Sequence, residues 1–234
     1  MAGPAAVSLM GRVLLRDANL IILDKPAGLP VHGGPKARSS VEDLLPSLKF
    51  GLRHVPAPAH RLDQDTSGCL VLARHPKALS RLGRLFTDGK VEKTYWAIVT
   101  GPLPGEAGTI DRALLKQTDR SGWRMVVDEH KGQRAVTHWR RLGGTGQFSW
   151  LELTLETGRT HQIRVHLAAL GCPVLGDPVY GEARPDGKMH LLSRRLAVPY
   201  WQDRPPVAAT AEPPPHMRMP LTACGWVSSP APSP

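Results

Sequence analysis

Apolar residues in this chain never run far before a turn residue stops them. "LIIL" at residues 20–23 leads into "DKPAGLPVHGG", and "CLVLA" at 69–73 leads into "RHP". "SWLELTLE" at 149–156 alternates cleanly until Thr157 and Gly158 break it. Runs this short, bounded by Gly and Pro, read as strands. "KTYWAIVTG", "WRMVVDE" and "AVTHWRRL" are of the same kind. Helical spacing is confined to a few places. "PKALSRLGRLF" sets Leu79, Leu82 and Phe86 on one face, with Pro76 in the first turn, and carries Lys77, Arg81 and Arg84 opposite. That basic row is either a solvated face or a ridge that follows phosphates. Ser40 is placed to cap a helix over "VEDLLPSL", and Thr160 to cap one over "HQIRVHLAAL". The latter has Ile163, Leu167 and Leu170 as its apolar stripe and stops at Gly171. "EPPPHMRMP" reads as an extended surface segment and "SSPAPSP" as a frayed tail. The economical architecture is one mixed domain dominated by strands.

Charge narrows the partners. Thirty Lys and Arg against twenty Asp and Glu leave a net +10, which favours a polyanion, most simply nucleic acid. Cys69, Cys172 and Cys224 are odd in number and widely spaced, which points to a reducing compartment and to neither a disulfide framework nor a zinc site. No apolar run approaches the ~20 residues a membrane span needs, and the first residues lack the layout of a signal peptide, so the expected setting is cytoplasmic.

One stretch offers chemistry. "HRLDQDTSG" at residues 60–68 places Asp63 and Asp65 in a loop ahead of a strand. A carboxylate beside Arg61 is commonly a structural ion pair, and Asp65 has a sufficient role as a turn residue. On a strand the two would share a face, but a carboxylate dyad is disfavoured because the following "TSG" suggests a turn that points them apart. His161 and His166 are five apart, on different sides of a helix, and no metal, serine-hydrolase or P-loop motif is present. In "ETGRTHQIRVHL", Arg164 adjoins the apolar stripe, and a partly buried guanidinium needs a carboxylate partner, for which Asp63 is a candidate.

At these residues the chain resembles the RluA-type pseudouridine synthases. The match runs in order through "LDKPAGLPVH", "HRLDQDTSG", "EKTYWAIV", "TGRTHQIRVHLAALGCPVLGDPVYG" and "MHLLSRRLAVP", roughly residues 18 to 200. Where that family has Leu-His-Ala, this chain has Leu191, Leu192 and Ser193. The resemblance implies a mixed α/β (α+β) fold with a long, largely antiparallel sheet and a central cleft. It implies an enzyme that isomerises uridine to pseudouridine in ribosomal or transfer RNA, working as a monomer without metal or organic cofactor. Asp63 would be the catalytic carboxylate, Tyr95 would pack on the target base, and Arg164 would pair with Asp63. Arg61 would fill the gap in the RNA stack, with His60, Thr66, Arg159 and Leu191 also on the substrate side. Tyr95 taken alone reads as a buried strand aromatic. The implied organisation is a short extension over 1–17, the catalytic domain over 18–226 and a Pro/Ser-rich tail over 227–234, with no S4-type module. A non-catalytic RNA-binding or ribosome-assembly protein is the competing reading, and a glycosidase fails for want of a second acid.

Overall fold

The computed structural model describes residues 8–34, 38–119 and 122–228. In chain order it has strands β1 (Val13–Arg16) and β2 (Leu20–Lys25), helix α1 (Val41–Leu44), strands β3 (Ala57–Pro58) and β4 (Ser67–Ala73), and helix α2 (Pro76–Thr87). Strands β5 (Glu92–Thr100), β6 (Ala107–Asp111), β7 (Leu114–Asp119), β8 (Gly122–Val127), β9 (Val136–Gly144) and β10 (Phe148–Leu155) follow. The chain closes with helix α3 (Gln162–Ala169), strands β11 (Leu191–Val198) and β12 (Val207–Thr210), and helix α4 (Pro215–Ala223). This is a mixed α/β fold in which strands dominate and pairing is mostly antiparallel.

The chain divides into two compact units, residues 1–94 with 192–212 and residues 95–191 with 213–234. No Pro/Gly-rich linker announced that division, because the crossings at 94/95 and 191/192 fall inside β5 and β11. In the first unit β2 is paired antiparallel with β1 and β4, and β11 with β12. β11 meets β4 in parallel, Leu192 opposite Ser67 and Ser193 opposite Gly68. Every residue of β4 is buried, as expected for a strand covered on both faces. Part of the expected N-terminal extension is structural, since β1 lies within it; residues 1–7, and the tail beyond Ser228, lie outside the described residues.

Ser40 caps α1 through a capping box: its hydroxyl accepts from the Asp43 amide at 3.4 Å while Asp43 Oδ2 accepts from the Ser40 amide at 2.8 Å. The helix lasts four residues and then tightens to a 3₁₀ turn over Leu45–Leu48, where Pro46 removes a donor. In α2 the sequence reading needs correction. Its buried residues are Ala78 and Leu82, whereas Leu79 is 36% exposed. Residue 79 lies about 100° round the helix from 78, outside the stripe that packs. Arg81 on the basic row lies over the rings of Tyr200 and Trp201, 4.9 and 5.3 Å from their centroids, so it is not merely solvated.

In the second unit β9 is paired antiparallel with β10 and β6, β5 flanks β10, and β7 and β8 form a separate hairpin. Helix α3 departs from expectation twice. Its N-cap is His161, at φ +53°, with no side-chain cap, and not Thr160. The preceding turn is organised instead by Gln162, whose Oε1 accepts from the Thr157 hydroxyl (2.7 Å) and the Arg159 amide (3.0 Å). Nor is the helix amphipathic, for Gln162 through Leu167 are all buried while Leu170 is only half-buried. Its polar groups are satisfied inside: Gln162 Nε2 donates to Val136 O and Thr137 Oγ1, and His166 bonds Thr137 Oγ1 and Arg112 O. "EPPPHMRMP" is not extended, since α4 covers most of it. Prolines at the start of a helix cost it no hydrogen bond, and Met217 and Leu221, one turn apart, are buried and anchor it.

Candidate functional site

The loop carrying Asp63 is pinned on both sides of that residue. Upstream, His60 Nε2 accepts the Val71 amide of β4 at 3.0 Å, and the ring stacks on Phe86 of α2 with centroids 4.4 Å apart. Burial pushes the His60 imidazole down to about 3, which the Arg61 carbonyl only partly opposes, so it stays neutral at physiological pH. His60 thus serves as a loop anchor. Downstream, Thr66 N–H donates to the Asp63 carbonyl at 3.2 Å and closes a turn over Gln64 and Asp65.

The strongest brace comes from Lys25, at the end of β2, whose side chain the sequence reading did not assign. It is fully buried, and Nζ donates to Pro26 O (2.9 Å), Leu29 O (2.8 Å) and Gln64 O (2.9 Å). Three carbonyls match the three N–H bonds of an ammonium. Burial pulls the Lys25 amine down to about 7, opposed by the negative charges of Asp65, Asp63 and Asp24. Gln64 O also accepts from the Gly28 amide at 2.9 Å. The residue between the two aspartates is therefore tied to the "KPAG" loop by two bonds. A sequence signal existed: a lysine ends an otherwise apolar strand just before a proline.

Arg61 is exposed, and among the described residues its side chain has no carboxylate or hydrogen-bond partner. Asp63 and Asp65 are half-buried, and Thr66 is buried. At Gly68, φ is +101° and an added Cβ would stand 2.3 Å from the Ser193 carbonyl, so only glycine allows β4 to meet β11 here. Leu192 and Ser193, which depart from the family's His-Ala, are both buried at this crossing, and Ser193 Oγ donates to Cys69 O at 3.2 Å.

Tyr95, Arg159, Arg164 and Leu191 belong to the second unit. Tyr95 on β5 and Leu191 are buried, and Arg159 is exposed, with Nε donating to Arg134 O at 3.2 Å. Arg164 is fully enclosed. Its Nε and Nη2 donate to the two oxygens of Asp177 at 2.7 and 2.8 Å, with side-chain exposures of 4% and 0%. Asp177 Oδ1 also accepts from the Val179 and Tyr180 amides. Burial pushes the Asp177 carboxyl up, but the Arg164 guanidinium and these amides outweigh it and hold the acid below its usual range. Asp177 went unassigned in the sequence, although "GDPVY" displays an aspartate inside an apolar stretch. The described residues contain no group of three or more His, Cys, Asp or Glu placed to hold a metal, and no helix long and apolar enough to cross a membrane.

Known proteins resemble this chain closely. The family model for RNA pseudouridylate synthase matches residues 19–169. An uncharacterised RNA pseudouridine synthase of Zymomonas mobilis is 47% identical over 207 residues, covering 87% of this chain and 93% of that protein. The ribosomal large subunit pseudouridine synthase D of the same organism is 37% identical over 194 residues, covering 79% of this chain. The chain spans 60% of the length of that protein, and 56% and 54% of the length of two further RNA pseudouridine synthases, from Chloroflexus aurantiacus and Synechocystis. Among solved structures, human RNA pseudouridylate synthase domain containing 4 superposes with a TM-score of 0.78 at 28% identity, covering 92% of this chain and 94% of that one.

Proposed function

The chain belongs to the RNA pseudouridylate synthase family, isomerases that act on RNA, and from that premise we propose that it converts specific uridines of ribosomal or transfer RNA to pseudouridine. Asp63 is the catalytic carboxylate, with Tyr95 and Arg164 in the roles the resemblance gives them. The observation that carries this reading is the braced loop: His60 and the Lys25–Gln64 bond fix the backbone on either side of Asp63 and leave Arg61 exposed.

The reaction must break and remake a glycosidic bond without water capturing the intermediate. A carboxylate on a fixed backbone can add to the substrate or move a proton, and fixed geometry lowers the entropy cost of either step. Reaching a stacked uridine requires extruding it, at a cost of a few kcal/mol. An unpaired planar guanidinium such as Arg61 recovers part of that by stacking where the base stood.

The test is tritium release from C5-labelled uridine in RNA, with binding measured on the same folded variants. Asp63→Asn keeps the side chain's size but loses the ionised oxygen, so release should vanish while binding survives. Asp65→Asn keeps a turn-forming acceptor and should retain most activity. Substantial release by the Asp63 variant would overturn the assignment, and binding without release by the wild type would favour a purely RNA-binding protein.

A further inference from the structure

The β7–β8 hairpin carries an exposed aromatic residue, Trp123, on β8. Trp123 is 45% exposed on a hairpin whose other outward residues include Lys116, Gln117, Thr118 and Arg124. One face of the indole is backed by the His161 imidazole, with centroids 5.1 Å apart and planes 27° from parallel. The Lys116 ammonium stands over the ring at 4.8 Å from its centroid. This layering is directed, because His161 occupies the left-handed N-cap of α3, three residues before Arg164.

Behind the imidazole the contacts continue without a break. His161 Nδ1 is 2.9 Å from the Tyr180 hydroxyl, which also accepts the Met125 amide of β8 at 2.9 Å. The Tyr180 ring lies 5.1 Å from the Arg164 guanidinium carbon. Its own amide donates to Asp177 Oδ1, the same oxygen that takes Arg164 Nη2. One tyrosine therefore touches the hairpin, the strained start of α3 and both members of the buried ion pair.

An indole with a cation at its face suits single-stranded RNA: any base can stack on the ring, and the exposed lysine can turn to the adjoining phosphate. A protein partner fits less well, since the exposed Lys116, Gln117, Thr118 and Arg124 around it are polar or charged. We propose that Trp123, with Lys116, stacks on an unmodified base of the RNA, and that His161 and Tyr180 are positioning residues through which this contact steadies Arg164. The proposal rests on the reading of the chain as a pseudouridine synthase.

Binding and single-turnover tritium release, measured on the full chain in one buffer, test it. Trp123→Ala should weaken RNA binding roughly ten-fold, and Trp123→Phe should restore most of it, as stacking requires. Tyr180→Phe keeps the ring and the amide but loses the hydroxyl; it should slow single turnover roughly ten-fold at saturating RNA with affinity within about two-fold of wild type. A residue of purely structural value would not separate rate from affinity in this way. In the Tyr180→Phe background, Trp123→Ala should lower the rate no further. Unchanged binding by Trp123→Ala would overturn the stacking claim, and an unchanged rate for Tyr180→Phe, or rate losses that simply multiply, would overturn the coupling. Should the wild type release no tritium, the functional reading falls instead, and the binding comparison still decides the stacking claim.

Discussion

Replacing Asp177 by Asn should cost this protein more stability than its single changed atom suggests. The carboxylate is completely enclosed and holds a guanidinium that is itself 4% exposed, by two bonds of 2.7 and 2.8 Å. Asparagine keeps an acceptor for the Val179 and Tyr180 amides but removes the negative charge that two nitrogens of a buried guanidinium bond. Removing one partner of such a pair costs ~3–5 kcal/mol, and the retained acceptor places the loss toward ~3. For a chain of this length each kcal/mol moves the midpoint by about 2–4 °C, so Tm should fall by roughly 6–12 °C. The acid dependence follows from the same pair. Asp177 has a folded pKa below its unfolded value, so its contribution is present above about pH 4 and is lost as pH falls through the folded value. The wild type should therefore lose stability below about pH 4 more steeply than the variant, which has no carboxyl to protonate. Calorimetric melts between pH 3 and 7 measure both effects. A midpoint within about 2 °C of wild type at pH 7 would show that Asp177 does not supply the balance for Arg164.

Lys25 makes a prediction of the same sign in a more alkaline window. Its folded pKa of about 7 lies below the unfolded value, so its contribution is complete above about pH 10 and is lost as pH falls toward 7. Urea melts of wild type against Lys25→Met should show the wild type gaining between pH 7 and 9.5, by at most ~1.4 kcal/mol per pH unit, and parallel curves would refute this. Arg61→Ala should slow turnover on a structured RNA more than on a flexible single strand, where extrusion is cheaper; equal losses would argue against a stacking role. Neutralising the exposed Lys77 and Arg84 should flatten the slope of log affinity against log salt by ~1.4, and an unchanged slope would mark that face as solvated only.

The sequence was most readable where a local pattern and its physical cause sit in the same few residues. Short apolar runs became β2, β4 and β10, Ser40 capped α1, and Pro76 opened α2. It was least readable where distant residues decide. "HQIRVHLAAL" looks like a one-sided helix, but Thr137, Val136 and Asp177 supply internal partners for Gln162, His166 and Arg164, so every residue from Gln162 to Leu167 is buried. Proline content hid α4 because composition says nothing about the pocket that Met217 and Leu221 fill. In the candidate site the motif led to Asp63 and Arg61. The groups that hold that loop and Arg164 in place, Lys25 and Asp177, come from 38 residues before Asp63 and 13 after Arg164.

The three cysteines give the folded chain a property that has nothing to do with catalysis. Cys69 lies in β4 just past the Asp63 loop, Cys172 follows α3, and Cys224 caps α4; all three are free and buried. Burial pushes the Cys69 thiol up to about 12 and raises the other two, so almost no thiolate is present at neutral pH. An alkylating reagent then has nothing to attack until the surrounding structure opens. Cys69 belongs to the first unit and the other two to the second, so the order in which they become labelled gives a clock for which unit comes apart first, with no probe added to the protein.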